Sequence, residues 1–172
     1  MAFLRIRFLF VLLLLVPALS FAGQQTITAK VMKVSDGDTV KVRPVTGGKD
    51  IRVRLYGIDA PEIRHGRKEG QNYGEDAAEA LRSLVLRQDV TVEVMDTDRY
   101  GRTVGRIYKG KQDINLEMVR LGYAWAYVQY LKRPHASEYI DAEKEARQKK
   151  LGLWKDNNPT PPWEFRKLQR NH

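Results

Sequence analysis

The alternation of apolar and polar residues divides the chain into segments. From Gln25 to Val45 the residues are β-prone, and "TVKVRP" (Thr39 to Pro44) alternates strictly. "GGKD" (Gly47 to Asp50) is a turn, and "IRVRLYGI" alternates again, so this region predicts a hairpin. In its last strand Ile51, Val53 and Leu55 share one face, while Arg52, Arg54 and Tyr56 share the other. "DAPEIRHGRKEGQN" (Asp59 to Asn72) has no apolar period and predicts a long loop. A helix is predicted from Gly74 to Arg87, because Ala77, Leu81, Leu84 and Val85 fall at helical spacing and Glu75 and Asp76 sit in its first turn.

"VTVEVM" (Val90 to Met95) and "TVGRIYK" (Thr103 to Lys109) read as strands around the turn "DTDRYGR". A second helix is predicted over Ile114 to Leu121, stopped by Gly122, and a third over Ala136 to Lys150, stopped by Gly152. "KDNNPTPPWEFRKLQRNH" (Lys155 to His172) reads as an extended, Pro-rich and basic tail with Trp163 pinned to the body. The order β-β-β-α-β-β-α-α describes an α+β, mainly β chain. Five strands with a helix between the third and fourth are the usual order of an OB-type barrel, here with three helices.

The first 22 residues fall outside this pattern. Arg5 and Arg7 precede an unbroken apolar run from Phe8 to Pro17, and Ser20-Phe21-Ala22 ends it with small residues at the first and third places. That layout predicts a signal peptide over 1–22; an uncleaved anchor is the rival, but the run is short for a span and Pro17 interrupts it. The expected organisation is a leader at 1–22, one domain at 23–155 and a tail at 156–172. Export would place the protein in the periplasm or outside the cell, as a monomer with no membrane span once the leader is removed. The chain has no cysteine, so its core must suffice without disulfides. Its 172 residues carry a net charge of +9, falling to +7 when Arg5 and Arg7 leave with the leader. A basic exported domain suits a polyanion such as nucleic acid, anionic lipid or acidic polysaccharide, and charge alone does not choose among them.

Acids and bases gather at the predicted strand ends: Asp36 and Asp38, Arg54, Asp59 and Glu62, and Arg102. Each has a plain reading. Asp36-Gly37 is a turn signal, Arg54 a solvated strand residue, Asp59-Ala60-Pro61-Glu62 a turn held extended by Pro61, and Arg102 an ordinary residue beside Gly101. The set is more specific than its members. "DGDT" (Asp36 to Thr39), "RLYGIDAPE" (Arg54 to Glu62), Tyr73-Gly74, "DRYGR" (Asp98 to Arg102), "NLEMVRLGYA", Ala126 to Val128 and "EYIDAEKEARQKKLGLW" occur in this order. With these residues the chain resembles the staphylococcal nuclease (thermonuclease) family from about Thr28 to Trp154.

The resemblance implies an OB-fold barrel and a calcium-dependent phosphodiesterase acting on DNA and RNA. It implies calcium ligation by the carboxylates of Asp38 and Asp59 and by the backbone carbonyl of Ala60. It assigns catalysis to Arg54, Glu62 and Arg102, nucleotide contacts to Arg99 and Tyr100, and a place beside the nucleotide pocket to Tyr127; Asp36 lies near the metal. The family's best-studied members have Thr where this chain has Ala60; a carbonyl ligand survives that change, whereas a hydroxyl contact to a metal-bound water does not.

These residue types suit the chemistry. A phosphodiester gathers charge on its equatorial oxygens at the transition state, and positioned cations lower that barrier. Arginines offer planar forks that stay charged, and calcium takes hard oxygen ligands. His65, His135 and His172 show neither paired zinc spacing nor the HxK-type nuclease motif; His65 reads as an exposed loop residue. The alternative class is a non-catalytic nucleic-acid-binding OB-fold module, and the presence of Arg54, Glu62, Arg102, Asp38 and Asp59 together argues against it. An aspartyl-phosphate phosphatase needs a parallel α/β order that the chain lacks. A basic tail that binds a membrane or cell wall is compatible only as an addition.

Overall fold

The computed structural model describes residues 25–66, 68–131 and 135–170, so the expected leader lies outside the described residues. The elements are β1 (Thr26–Asp36), β2 (Thr39–Pro44), β3 (Ile51–Leu55), β4 (Ile58–Asp59), α1 (Gly74–Val85), β5 (Asp89–Thr97), β6 (Thr103–Lys109), β7 (Gln112–Asp113), α2 (Ile114–Arg120), β8 (Trp125–Ala126), α3 (Ala136–Gln148) and α4 (Pro162–Arg170). Single 3₁₀ turns lie at Val128–Tyr130 and Gly152–Lys155.

Five strands close into a barrel. The order β3-β2-β1-β5-β6 is antiparallel throughout and shuts through a parallel pairing of β3 with β6, Val53 opposite Thr103 and Leu55 opposite Gly105. This is the predicted OB-type barrel, closed so that no long edge is left unpaired among the described residues. Strand β1 serves two neighbours because its register shifts between Val31 and Lys33 and again between Val34 and Asp36. Bulges of this kind bend a strand and re-aim its side chains. The second one delivers Asp36 to the turn before β2.

The alternation seen in the sequence becomes the inside and outside of the barrel. Val31, Val40, Val42, Val53, Leu55, Val92 and Ile107 are buried, and α1 covers them with Ala77, Leu81 and Val85. β-branched residues dominate the strands because their branched side chains suit a pleated, half-buried surface. Asn115, fully buried at the start of α2, seals the closure point. Its Nδ2 donates to the carbonyls of Tyr56 (2.9 Å) and Gly105 (3.1 Å), and its Oδ1 accepts from the Ile107 N–H (3.0 Å).

The chain differs from expectation in its last part. The segment read as an extended tail contains a fourth helix, α4, whose first turn holds Glu164 and whose last turn holds Lys167 and Arg170. Pro161 and Pro162 do not prevent it, because proline is tolerated at the start of a helix and its fixed φ suits the first turn. Trp163 is pinned as expected: it stacks on Tyr127 (ring centroids 5.2 Å, planes 8° apart) and meets Trp125 edge-on at 5.6 Å. The two-residue pairing of β4 with β8, Asp59 opposite Trp125, is too short to leave any periodic trace in the sequence.

Candidate active site

The turn between β1 and β2 is built around its two aspartates. The Asp36 Oδ1 accepts from the Asp38 N–H (3.1 Å), a side-chain turn that fixes the backbone. The Asp38 carbonyl accepts the Leu55 N–H (2.8 Å) and so ties the turn to the end of β3. Gly37 is required by space: a Cβ there would lie 2.7 Å from both the Ala60 and Ala77 methyl carbons. Asp38 itself is only 4 % exposed. Its Oδ1 accepts from the Thr39 hydroxyl (3.0 Å), its Oδ2 from the Ala60 N–H (3.1 Å), and Arg54 ion-pairs with it.

Asp59 is the second buried carboxylate, with no exposed surface, and its place in β4 against β8 fixes its backbone. Arg54 donates from Nη2 to Asp59 Oδ1 (2.7 Å), so one guanidinium joins Asp38 and Asp59. A second guanidinium reaches the same group from α4. Arg166 gives Nη1 to Asp59 Oδ1 (3.1 Å), Nη2 to Asp59 Oδ2 (2.7 Å) and Nη1 again to Glu62 Oε1 (2.7 Å). Burial alone would lower the Arg166 pKa, but its bonds to Asp59 and Glu62 outweigh this and raise it above the ordinary arginine value. The Glu62 backbone is clamped by Gln71, whose side-chain oxygen accepts the Glu62 N–H (3.0 Å) and whose own N–H bonds the Glu62 carbonyl (2.8 Å). Gly74, at the start of α1, has no room for a Cβ, which would fall 2.2 Å from that carbonyl oxygen.

Arg102 stands apart from this cluster, one residue before β6 and beside β3. Its Nε donates to Asp98 Oδ2 (2.7 Å), and its N–H and that of Tyr100 both donate to Asp98 Oδ1 (2.9 Å each). Burial would raise the Asp98 carboxyl, but these bonds hold it below the usual carboxylate range. Burial pushes Asp36 up, against the opposing charges of Arg54, His65 and Arg102. Arg99 and Tyr100 occupy the same exposed turn, with Tyr100 70 % exposed and the Arg99 guanidinium 5.0 Å from its ring centre. Tyr127 bonds through its N–H to the Gly57 carbonyl (2.8 Å); burial and the Asp59 charge raise its phenol pKa.

The structure therefore brings Arg54, Asp38, Asp59, Ala60 and Glu62 into one bonded group. Arg102 is bonded to Asp98 instead, and Tyr127 stacks on Trp163. Arg99 and Tyr100 lie on the exposed turn that holds Asp98, with the Arg102 guanidinium 5.8 Å from the Tyr100 ring centre. Among the described residues no trio of His, Asp or Glu side chains is gathered for a metal ion. Asp38 and Asp59 nevertheless offer two buried hard oxygen donors, the donor type that calcium takes. The Arg166 guanidinium, itself a cation, bridges Asp59 and Glu62 at that place. The donor chemistry thus fits a hard dication. Arg166, Trp163 and Gln71 were not anticipated as parts of the site. The proline-first, acid-then-base pattern of 162–170 was the signal that could have revealed α4.

A closed five-stranded OB-fold barrel carrying carboxylates and arginines where β1, β3 and β4 meet defines the class of protein. The family model described as "Staphylococcal nuclease homologue" matches residues 52–156. A Haemophilus influenzae protein named "Uncharacterized endonuclease" is 41% identical over 159 residues, which is 92% of this chain and 84% of that one. A "Micrococcal nuclease" of Shigella flexneri is 40% identical over 171 residues, 94% of this chain and 90% of the relative. "Staphylococcal-like nuclease CAN1" of Arabidopsis thaliana is 42% identical over 122 residues, 71% of this chain and 35% of the plant protein. The chain belongs to the staphylococcal nuclease family.

Proposed function

We propose that this chain is a nuclease, a hydrolase that cleaves phosphodiester bonds of DNA and RNA with low sequence specificity, using calcium and leaving 3′-phosphorylated products. Family membership supports the nuclease reading. The observation that carries the site is the single bonded group in which Arg54 joins Asp38 to Asp59, with Glu62 beside them. The same reading has the protein exported as a monomer; among the described residues no helix is long and apolar enough to cross a membrane.

In this reading Asp38 and Asp59, with the Ala60 carbonyl, would hold calcium, which supplies positive charge against the phosphate. Arg54 and Arg102 present guanidiniums to the phosphate oxygens, and their charge stabilises the transition state more than the ground state. Glu62, fixed through its backbone by Gln71, orients or deprotonates the water that attacks phosphorus in line. The 5′-oxygen leaves and the phosphate stays on the 3′ side. Arg99 and Tyr100 on the exposed turn meet a neighbouring phosphate or base, and Tyr127 borders the nucleotide. Asp98 positions Arg102 through the 2.7 Å ion pair.

The test is kinetic. Glu62→Gln and Arg102→Ala should each lower kcat by ~10²-fold or more, as loss of a positioned proton-transfer or charge-stabilising group does. Folded variants with near-normal rates would refute the assignment. Nucleic-acid binding without cleavage by the unaltered chain would instead favour a non-catalytic binding module.

A further inference from the structure

We infer that Arg166 is a built-in counter-cation of the active site, and that helix α4 is a latch which a divalent cation must displace. The inference rests on the calcium reading of Asp38 and Asp59 above, and it adds a residue and an element that the reading does not use.

Three independent features point the same way. The first is where the guanidinium lies. Arg166 takes both carboxylate oxygens of Asp59 in a planar fork and shares Nη1 with Glu62. It therefore occupies the lone pairs that a metal ligand needs and binds the carboxylate that must handle water. A dication on Asp59 would have to compete with the Arg166 guanidinium, which takes both carboxylate oxygens, whereas Arg54 takes only Oδ1.

The second feature is what α4 covers. Trp163, one turn earlier on the helix, stacks flat on Tyr127. One short helix thus blocks both the cation side and the aromatic side of the site. Flat stacking on an aromatic ring is also what a nucleobase does.

The third is how lightly α4 is held. Its only buried residue is Pro162, and the Arg166 side chain is 37 % exposed although the Asp59 beneath it is fully buried. Besides the ring contacts and the Arg166 bonds, Gln71 Nε2 donates to the Thr160 carbonyl (2.9 Å), Gln169 Nε2 donates to the Glu69 carbonyl (2.8 Å), and Trp163 packs half-buried against the Trp125, Leu153 and Trp154 cluster. A shallowly docked helix can undock without disturbing the barrel. Asp59 and Glu62 would then share a second counter-charge besides Arg54 in both states: Arg166 before the cation arrives, and the cation once it binds.

The experiment measures calcium binding alone, by titration calorimetry, on three chains that each carry every residue from Gly23 onward: unaltered, Arg166→Ala and Trp163→Ala. Removing a competing occupant raises the fraction of binding-competent sites, so Arg166→Ala should bind calcium about tenfold or more tightly than the unaltered chain. Trp163→Ala, which frees α4 from its other end, should shift affinity in the same direction. In the unaltered chain, saturating calcium should lower amide-exchange protection across 162–170 and leave the barrel strands unchanged. Equal or weaker affinity in both variants, or rising protection of 162–170 with calcium, would overturn the latch. If all three chains bind calcium equally, the latch falls and the calcium site stands. If none binds, both fall.

Discussion

Replacing Gly37 by alanine places a methyl group between two surfaces that cannot retreat. The new carbon would lie 2.7 Å from the methyl carbons of Ala60 and Ala77, where ordinary contact begins at 3.4 Å. Each gap must therefore open by about 0.7 Å. Ala77 is fully buried on α1 and Ala60 is buried beside β4, so the Asp36–Thr39 turn is the part that moves. Overpacking of this kind costs about 1–3 kcal/mol. Because the moving turn carries Asp38, a shift approaching an ångström should also reduce the cleavage rate by up to ~10²-fold. Urea unfolding followed by tryptophan fluorescence reads the first effect, and initial rates on DNA with calcium read the second. The double variant with Ala60→Gly removes one of the two clashes and should recover part of both losses. A Gly37→Ala protein within ~0.5 kcal/mol of the original stability and fully active would refute the reasoning.

Arg54→Ala should destabilise the cation-free protein by about 3 kcal/mol, because it removes the guanidinium that joins the buried Asp38 and Asp59. Calcium should restore part of that loss, and an unchanged urea midpoint would count against the pairing. Burial pushes the Tyr108 phenol up to about 12, against the opposing charge of Arg106. Its folded value exceeds the unfolded value of about 10, so its contribution to stability is full below pH ~10 and is lost as pH rises toward 12. Phenolate absorbance and urea midpoints between pH 9 and 12 should fall into step; a stability that is flat across that range would contradict the assignment.

Most of the barrel was legible because its signal is local. Alternation in "TVKVRP" and "IRVRL" dictates which side chains face inward, and β6 runs over the very residues expected, Thr103–Lys109. The helices α1, α2 and α3 announced themselves by apolar spacing, and each ends within two residues of its expected stop. The convergence of Arg54, Asp38 and Asp59 was not visible in any one segment; it depends on β1 bulging twice and on Asp59 pairing with Trp125 in a strand of two residues. The resemblance to a family supplied what periodicity could not. Arg166 was missed for a further reason. Proline and basic residues dominate 159–170 in composition, while the positions of Pro162, Glu164 and Arg170 follow helix-end rules that composition hides. Its partners Asp59 and Glu62 lie more than 100 residues away in sequence.

The central claim, that the Asp38–Asp59–Glu62 group with Arg54 and Arg102 is a calcium-dependent phosphodiesterase, is tested most directly by one measurement. The chain from Gly23 onward is incubated with DNA and with RNA in calcium, in magnesium, and in chelator followed by calcium, and the product ends are identified. The account predicts cleavage of both substrates with calcium, its loss in chelator, its return on re-addition, and 3′-phosphate ends. Cleavage that persists unchanged in chelator, or tight binding with no cleavage under any condition, would contradict it.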